Sequence, residues 1–288
     1  MLKIFIRKFN TLIHHEHPFR LLLMRLFMGS GISRLFTIDR EYYKIRFYPT
    51  SLSQTLYLNP RDRQDDEDFF ISYLREGDIV IDVGANIGTL TLLSASLTKE
   101  EGKVYSFEPN SRTYKYLLKN IKLNGFNNVE TFCMALGDKT AIAELADLRS
   151  DDMNHILSHK SENIRTIKIK LSKLDNLLTS SIKRINLLKI DTEGYELFVL
   201  KGAENVLDKT DCIYYESWEK HYTKFNYKTQ DVLAFLSGKG FKIFRIIENE
   251  LIREIKDPSN YESSQLENLI AVKDVEAFIK RTGWEVEG

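Results

Sequence analysis

The stretch GDIVIDVGANIG, residues 77–88, decides the reading of this chain. Ile79, Val80, Ile81 and Val83 form a short apolar run of the kind buried on both faces of a parallel sheet. The run stops at Gly84. Ala85, Asn86 and Gly88 follow, and TLTLLSASL (89–97) then takes up a helical pattern. A strand, a tight glycine turn and a helix N-terminus let a backbone approach a ligand closely and aim free N–H groups at it. Asp82 lies inside the apolar run, where a carboxylate is costly without a partner. A second run, KVYSF (103–107), ends in Glu108 and Pro109. An acid at the tip of the second strand is where α/β nucleotide folds bind ribose hydroxyls.

The spacing narrows the ligand. A dinucleotide fingerprint counted from Gly84 needs glycine at 86 and 89, where this chain has Asn86 and Thr89. The G-K-[ST] of a phosphate loop is also missing. An acid-bearing loop suits a ligand with an ammonium group and a ribose but no pyrophosphate, a description that S-adenosylmethionine meets. The competing reading is a purely structural βα turn, and Glu108 at its distance from the glycines tips the balance toward a nucleoside.

A chain of 288 residues accommodates one large α/β domain plus an appendage. Its 41 basic and 41 acidic residues cancel, which argues against a general nucleic-acid binder. Cys133 and Cys212 each sit in an apolar run and read as buried reduced thiols, which points to a reducing, cytoplasmic setting. No run reaches the roughly 18 uncharged apolar residues of a membrane span. The best candidate, LLLMRLFMG (21–29), is interrupted by Arg25 and makes a poor signal peptide. Residues 1–36 are basic and apolar, with Glu16 as the single acid. They read as a helical arm on the main domain or as an interfacial helix touching an anionic membrane. His14, His15 and His17 cluster there without converging ligands. The expected division is an N-terminal extension, 1–59, and a nucleoside-binding domain, 60–288.

Within the extension, 41–58 alternates and reads as a small hairpin. Pro60 then starts an acidic helix whose run 65–68 forms its solvated face. From Gly77 the pattern is strand 79–83, helix 87–98, strand 103–107, helix 110–124 and strand 128–136, the alternation of a doubly wound sheet. Asp138, just past the third strand, is a candidate acceptor for an adenine amino group, with a turn-forming role as the alternative. Residues 140–146 and 164–171 look like an antiparallel pair, and the polar loop between them is the candidate substrate lid. Ser172 and Asp175 read as a helix start. In INLLKIDTEGYELFVLKGAENVL (185–207), Lys189 and Asp191 share one strand face, an expensive arrangement in a buried strand unless they perform chemistry. Asp191, Glu193 and Glu196 crowd the strand tip, where open α/β sheets place their sites. The strand 211–216 adds Glu216, followed by His221. Strands 241–247 and 266–273 have no helix between them and should pair antiparallel across a 248–264 loop, with a short helix after 274.

Together, IVIDVGANIGTLTLL, the acid in YSFEPN, MALGD, KIKLSKLDNLL, LLKIDTEGYELFVLKGA and the terminal NLIAV resemble FkbM-type S-adenosylmethionine-dependent methyltransferases over about residues 60–273. The resemblance implies a Rossmann-like class I methyltransferase fold: a seven-stranded mixed sheet, order 3-2-1-4-5-7-6, with helices on both faces. It also implies O-methylation of hydroxyls in sugars, glycans or secondary metabolites. On this resemblance, Asp82 and the backbone of Gly84, Ala85, Asn86 and Gly88 hold the methionine end. Glu108, with Pro109 behind it, accepts from the ribose, and Asp138 sits near adenine.

A sugar hydroxyl is a weak nucleophile and needs a base. Asp191 or Glu193 is expected in that role, with Lys189 tuning the acid and Glu216 and His221 as alternates. A divalent metal bridging Asp191 and Glu216 to the acceptor oxygen is weighed and not favoured. The expected partner is a small-molecule or glycan acceptor, with no nucleic acid. Two rivals are a nicotinamide-dependent oxidoreductase or epimerase, which requires a Tyr-x-x-x-Lys or comparable hydride-site pair and finds only the Tyr and Lys of TYKYLLK (113–119), and a non-catalytic nucleoside-binding module.

Overall fold

The computed structural model describes residues 20–22, 24, 35–148, 154–157, 165–178, 182–248 and 250–287. The basic arm and its histidine cluster therefore lie mostly outside the described residues, as do 149–153 and 158–163 of the expected lid. Among the described residues, no helix is long and apolar enough to cross a membrane.

The stretch 77–88 makes the centre of a large sheet. Strand β3 (Ile79–Val83) runs parallel to β4 (Lys103–Phe107) on one side and to β9 (Ile185–Ile190) on the other. Val80, Ile81, Leu187 and Leu188 have no accessible surface. Each such side chain taken from water contributes about 1.5–3 kcal/mol, which is why a continuous apolar run settles at the middle of the sheet. Helix α3 (Thr89–Thr98) follows β3, and α4 (Ser111–Asn124) follows β4. The Asn110 side chain caps α4 by accepting from the backbone N–H groups of Arg112 and Thr113.

Outward from β4 lies β5 (Val129–Phe132); beyond β9 come β10 (Thr210–Ser217), β13 (Glu267–Val272) and β11 (Lys242–Glu248). Counted from β3, these seven strands stand in the order 3-2-1-4-5-7-6, and β13 is antiparallel to both its neighbours. The sheet nevertheless has nine strands among the described residues rather than seven. The expected 248–264 loop contains β12 (Leu251–Glu254), which folds back on β11. The tail continues past helix α9 (Val275–Thr282) into β14 (Glu285–Glu287), which pairs parallel with β12.

Three further readings are corrected. The strand expected over 128–136 divides: β5 stays in the large sheet, while β6 (Ala135–Leu136) joins β7 (Ala141–Ala146) and β8 (Thr166–Ser172) in a separate three-stranded sheet. The hairpin expected over 41–58 is β1 (Thr37–Asp39) and β2 (Lys44–Arg46), and the remainder is helix α1 (Ser51–Leu58), capped by Thr50. The acidic run 65–68, at the start of helix α2 (Gln64–Tyr73), is not all solvated. Asp66 accepts from the Tyr214 hydroxyl (2.5 Å) and Asn268 (2.8 Å), while Glu67 takes Tyr43 (2.6 Å) and Arg40. Buried carboxylates persist when such donors satisfy them.

Ile45, Tyr48 and Leu56 share one hydrophobic cluster with Phe69, Phe70 and Val80. Packing is thus continuous across the division expected at 59/60. Leu21 and Met24, at the edge of the arm, cover Phe47.

Candidate active site

A cleft of about 910 Å³, counted with its open mouth, lies at the C-terminal ends of β3, β4 and β9. Gly84 shapes its floor. Its φ is +80°, and a Cβ there would stand 1.8 Å from the Asp191 carbonyl oxygen, so only glycine permits the two strand ends to touch.

The turn does not offer its amides to a ligand, contrary to the reading from sequence. Gly84 and Ala85 N–H donate to the Phe107 carbonyl, Asn86 N–H to Glu108 Oε2 (2.9 Å), Ile87 N–H to Asn86 Oδ1, and Gly88 N–H to Ala85. Internal partners hold the tight turn. The ligand side is left to Glu108 and to the first residues of α3, Thr89 and Leu90, which line the cleft.

Lys189 is equally internal. Its ammonium lies 3.0 Å from Asp82 Oδ1 and donates to the carbonyls of Gly84 (2.9 Å) and Val83 (3.3 Å). Burial opposes its charge, but Asp82 and Asp191 outweigh that and hold its pKa above the ordinary lysine value. Asp82 also accepts from Thr91 Oγ1 (2.6 Å), and its side chain is 1% exposed. It therefore anchors the floor from below. The carboxylate on the cleft surface is Asp191, 22% exposed, 3.7 Å from Lys189 and 3.9 Å from Arg63.

Beyond Asp191 the acids outnumber the cations. Burial, then Glu216 and Asp191, push the Glu193 carboxyl well above the usual carboxylate range; burial and Asp191 do the same to Glu216. Burial and then Lys224 lower His221 to about 4, so the imidazole is neutral. Its Nδ1 lies 3.3 Å from Glu193 Oε2 and 3.6 Å from Glu216 Oε2. Glu196 is buried behind them and accepts from Thr192 N–H and Oγ1 (both 2.9 Å), holding the 192–196 turn.

Of the residues expected from sequence, the cleft walls include Asp82, Gly84, Ala85, Asn86, Glu108, Pro109, Lys189, Asp191 and Glu193. Gly88, Asp138, Glu216 and His221 are not among them. Asp138 is carried off because β6 leaves the large sheet; its Oδ1 is buried without a hydrogen-bond partner. The Asp191–Glu216 metal pair that was weighed and not favoured is not the grouping formed, since Asp191 stands beside two cations and Glu216 beside His221. A short 3-10 helix (Leu174–Asn176) does start here, and Asp175 within it accepts from Asn205 and Val206 N–H, so its side chain caps helix α6 (Glu204–Leu207).

Sequence reasoning missed Arg63 and the apolar wall of Phe107, Met134 and Leu136. Arg63 adopts φ +64° just before α2 and reaches both Asp66 (3.3 Å) and Asp191. No local pattern announces a contact that spans 128 residues of chain. The lid region contributes His155 and Ile156, strapped to β7 by Leu157 N–H to Glu144 O and Ala146 N–H to His155 O.

These residues fit an aminoacyl nucleoside. Glu108 Oε1 and Oε2 each accept one backbone N–H at the wall, and a carboxylate has about four acceptor sites. The apolar wall opposite suits a purine. A cleft of this kind beside a 3-2-1-4-5-7-6 sheet defines an S-adenosylmethionine-dependent methyltransferase. The chain belongs to the FkbM methyltransferase family: residues 82–243 match the methyltransferase FkbM domain.

Methyltransferase 1 of Beauveria bassiana is 24% identical over 199 residues, covering 62% of this chain and 78% of that one. The hexuronic acid methyltransferase AglP of Haloferax volcanii is 27% identical over 191 residues, covering 65% of this chain and 71% of the relative. Among solved structures, the methyltransferase FkbM from Methylobacillus flagellatus is 14% identical with a TM-score of 0.42, covering 86% of this chain and 58% of that one.

Proposed function

We propose that this methyltransferase acts on oxygen, methylating a hydroxyl of a sugar or glycan. The observation that carries the reading is the Asp191 carboxylate, partly exposed on the wall of the nucleoside cleft and flanked by Glu193. S-adenosylmethionine supplies a sulfonium methyl that needs no acid to activate it. What the protein must add is position and a place for the hydroxyl proton. Asp191 is the group placed to take that proton. Lys189 and Arg63, 3.7 and 3.9 Å from Asp191 Oδ2, hold the carboxylate in place at the cleft wall. Similarity to the Haloferax hexuronic acid methyltransferase supports a uronic-acid-bearing acceptor.

The test is incubation of the full chain with S-adenosylmethionine and a panel of neutral and uronate-containing glycans, read by mass spectrometry. Methyl ethers on sugar hydroxyls are expected. Binding of S-adenosylhomocysteine with transfer only to carboxylates, nitrogen or carbon acceptors overturns the reading.

A further inference from the structure

We propose that Glu193, Glu216 and His221 form a binding site for a divalent metal ion that takes mixed imidazole and carboxylate ligands, of which Mn²⁺ is the representative. The three residues come from separate segments: the turn after β9, the end of β10, and the short helix α7 (Glu219–Tyr222). One ligand atom from each lies within 4.8 Å of the others. Groups about 2.1 Å from one metal stand about 3.0–3.4 Å apart in octahedral or tetrahedral geometry. The 3.3 and 3.6 Å separations from His221 Nδ1 are close to that spacing.

A second, independent observation points the same way. His221 is 8% exposed, yet its Nδ1 is buried without a hydrogen-bond partner and is directed at the two carboxylates. Buried polar atoms are normally satisfied, and an orphan that faces a ligand set needs an occupant. Among the described residues, no lysine or arginine lies within ion-pair distance of Glu193 or Glu216, although Lys189 and Arg63 both serve neighbouring Asp191. Trp218 packs its ring 4.5 Å from the imidazole, and Gly194 (φ +106°) lets the Glu193 turn press on the His221 backbone, where a Cβ would stand 2.7 Å from the carbonyl oxygen. Three protein ligands leave coordination positions open, and Glu193 also lines the cleft. A cation here stands at the acceptor side of the site, and that role, though not the binding itself, rests on the O-methylation reading.

The experiment titrates the chelator-stripped full chain with Mn²⁺ near neutral pH and follows the free ion by electron paramagnetic resonance. Stoichiometric binding is expected, weakened about tenfold or more in Glu193→Gln and His221→Asn. S-adenosylhomocysteine affinity and melting temperature serve as controls for folding. Should His221→Asn fail to fold, Glu216→Gln replaces it. Absence of stoichiometric Mn²⁺ binding to the native chain, or binding that survives all of these substitutions, overturns the site. If Mn²⁺ binds as stated while no sugar hydroxyl is methylated, the acceptor reading falls and the site stands. If sugar hydroxyls are methylated by protein that binds no Mn²⁺, the site falls and the acceptor reading stands.

Discussion

The Lys189 ammonium stands 3.0 Å from Asp82 Oδ1, directly across the β3–β9 register, with side chains only 6% and 1% exposed. One cation thereby ties together a buried carboxylate, the carbonyls of the glycine turn and the base of Asp191. Breaking such a pair from one side strands a charge in the interior. Lys189→Met should lower unfolding free energy by about 3–5 kcal/mol, read by urea denaturation. Adding Asp82→Leu should recover part of that loss, because the stranded charge is gone. Equal stability of the single variant and the native chain would show that the pair is solvated.

Glu108 joins the turn to the start of α4 by accepting from Asn86 and Asn110 N–H. Glu108→Ala should weaken S-adenosylhomocysteine binding by about 1–3 kcal/mol in isothermal titration. Unchanged affinity would remove Glu108 from the cofactor site.

Asp191→Asn keeps the shape of the residue and removes its basicity. Turnover on a hydroxyl acceptor should fall by about 10²–10⁴-fold while cofactor affinity stays within a few-fold. Retained turnover would mean that another group accepts the proton.

Gly84→Ala should fold poorly, if at all. Its Cβ would overlap the Asp191 backbone oxygen in a left-handed conformation that alone costs about 1–2 kcal/mol. Circular dichroism melting checks this, and a native-like melting temperature would contradict the close strand-end approach.

Glu196 yields a pH test. Burial, then Glu216, push its carboxyl from 4.5 up to about 7, against the opposing pull of the Thr192 N–H. Glu193, Tyr222, Tyr227, Lys224 and His221 also feel its charge. The folded chain holds this proton more tightly than the unfolded one. The group's contribution is therefore greatest below pH 4.5 and declines until pH 7, by about 3 kcal/mol at most. Glu196→Gln keeps the acceptor for Thr192 N–H and should lose that slope. Parallel pH profiles of unfolding free energy for the two proteins would refute the shifted carboxyl.

The central strands themselves were legible because buried strands demand apolar runs, and 79–83, 103–107 and 185–190 supply them, whereas their order was implied only by the resemblance to FkbM-type methyltransferases. The site was legible only where acids sit in those runs or at their tips. Asp82 and Lys189 stood out as charges in apolar company, but whether they meet a ligand or each other depended on register. β12 and β14 were missed because they are only four and three residues long and neither carries a continuous apolar run.

Local chemistry along the chain was enough to determine the glycine turn, the alternation of strands and helices, the acid after β4 and the crowding of carboxylates after β9. Each follows from a residue's own preference for water, φ or its near neighbours. Tertiary structure alone decided that the turn's amides close on themselves, that Asp82 goes to Lys189, that Arg63 reaches Asp191, and that Glu193, Glu216 and His221 converge. Those outcomes depend on which distant segments a nine-stranded sheet brings within a few ångströms, and electrostatic partnership in a dry interior is settled by that proximity.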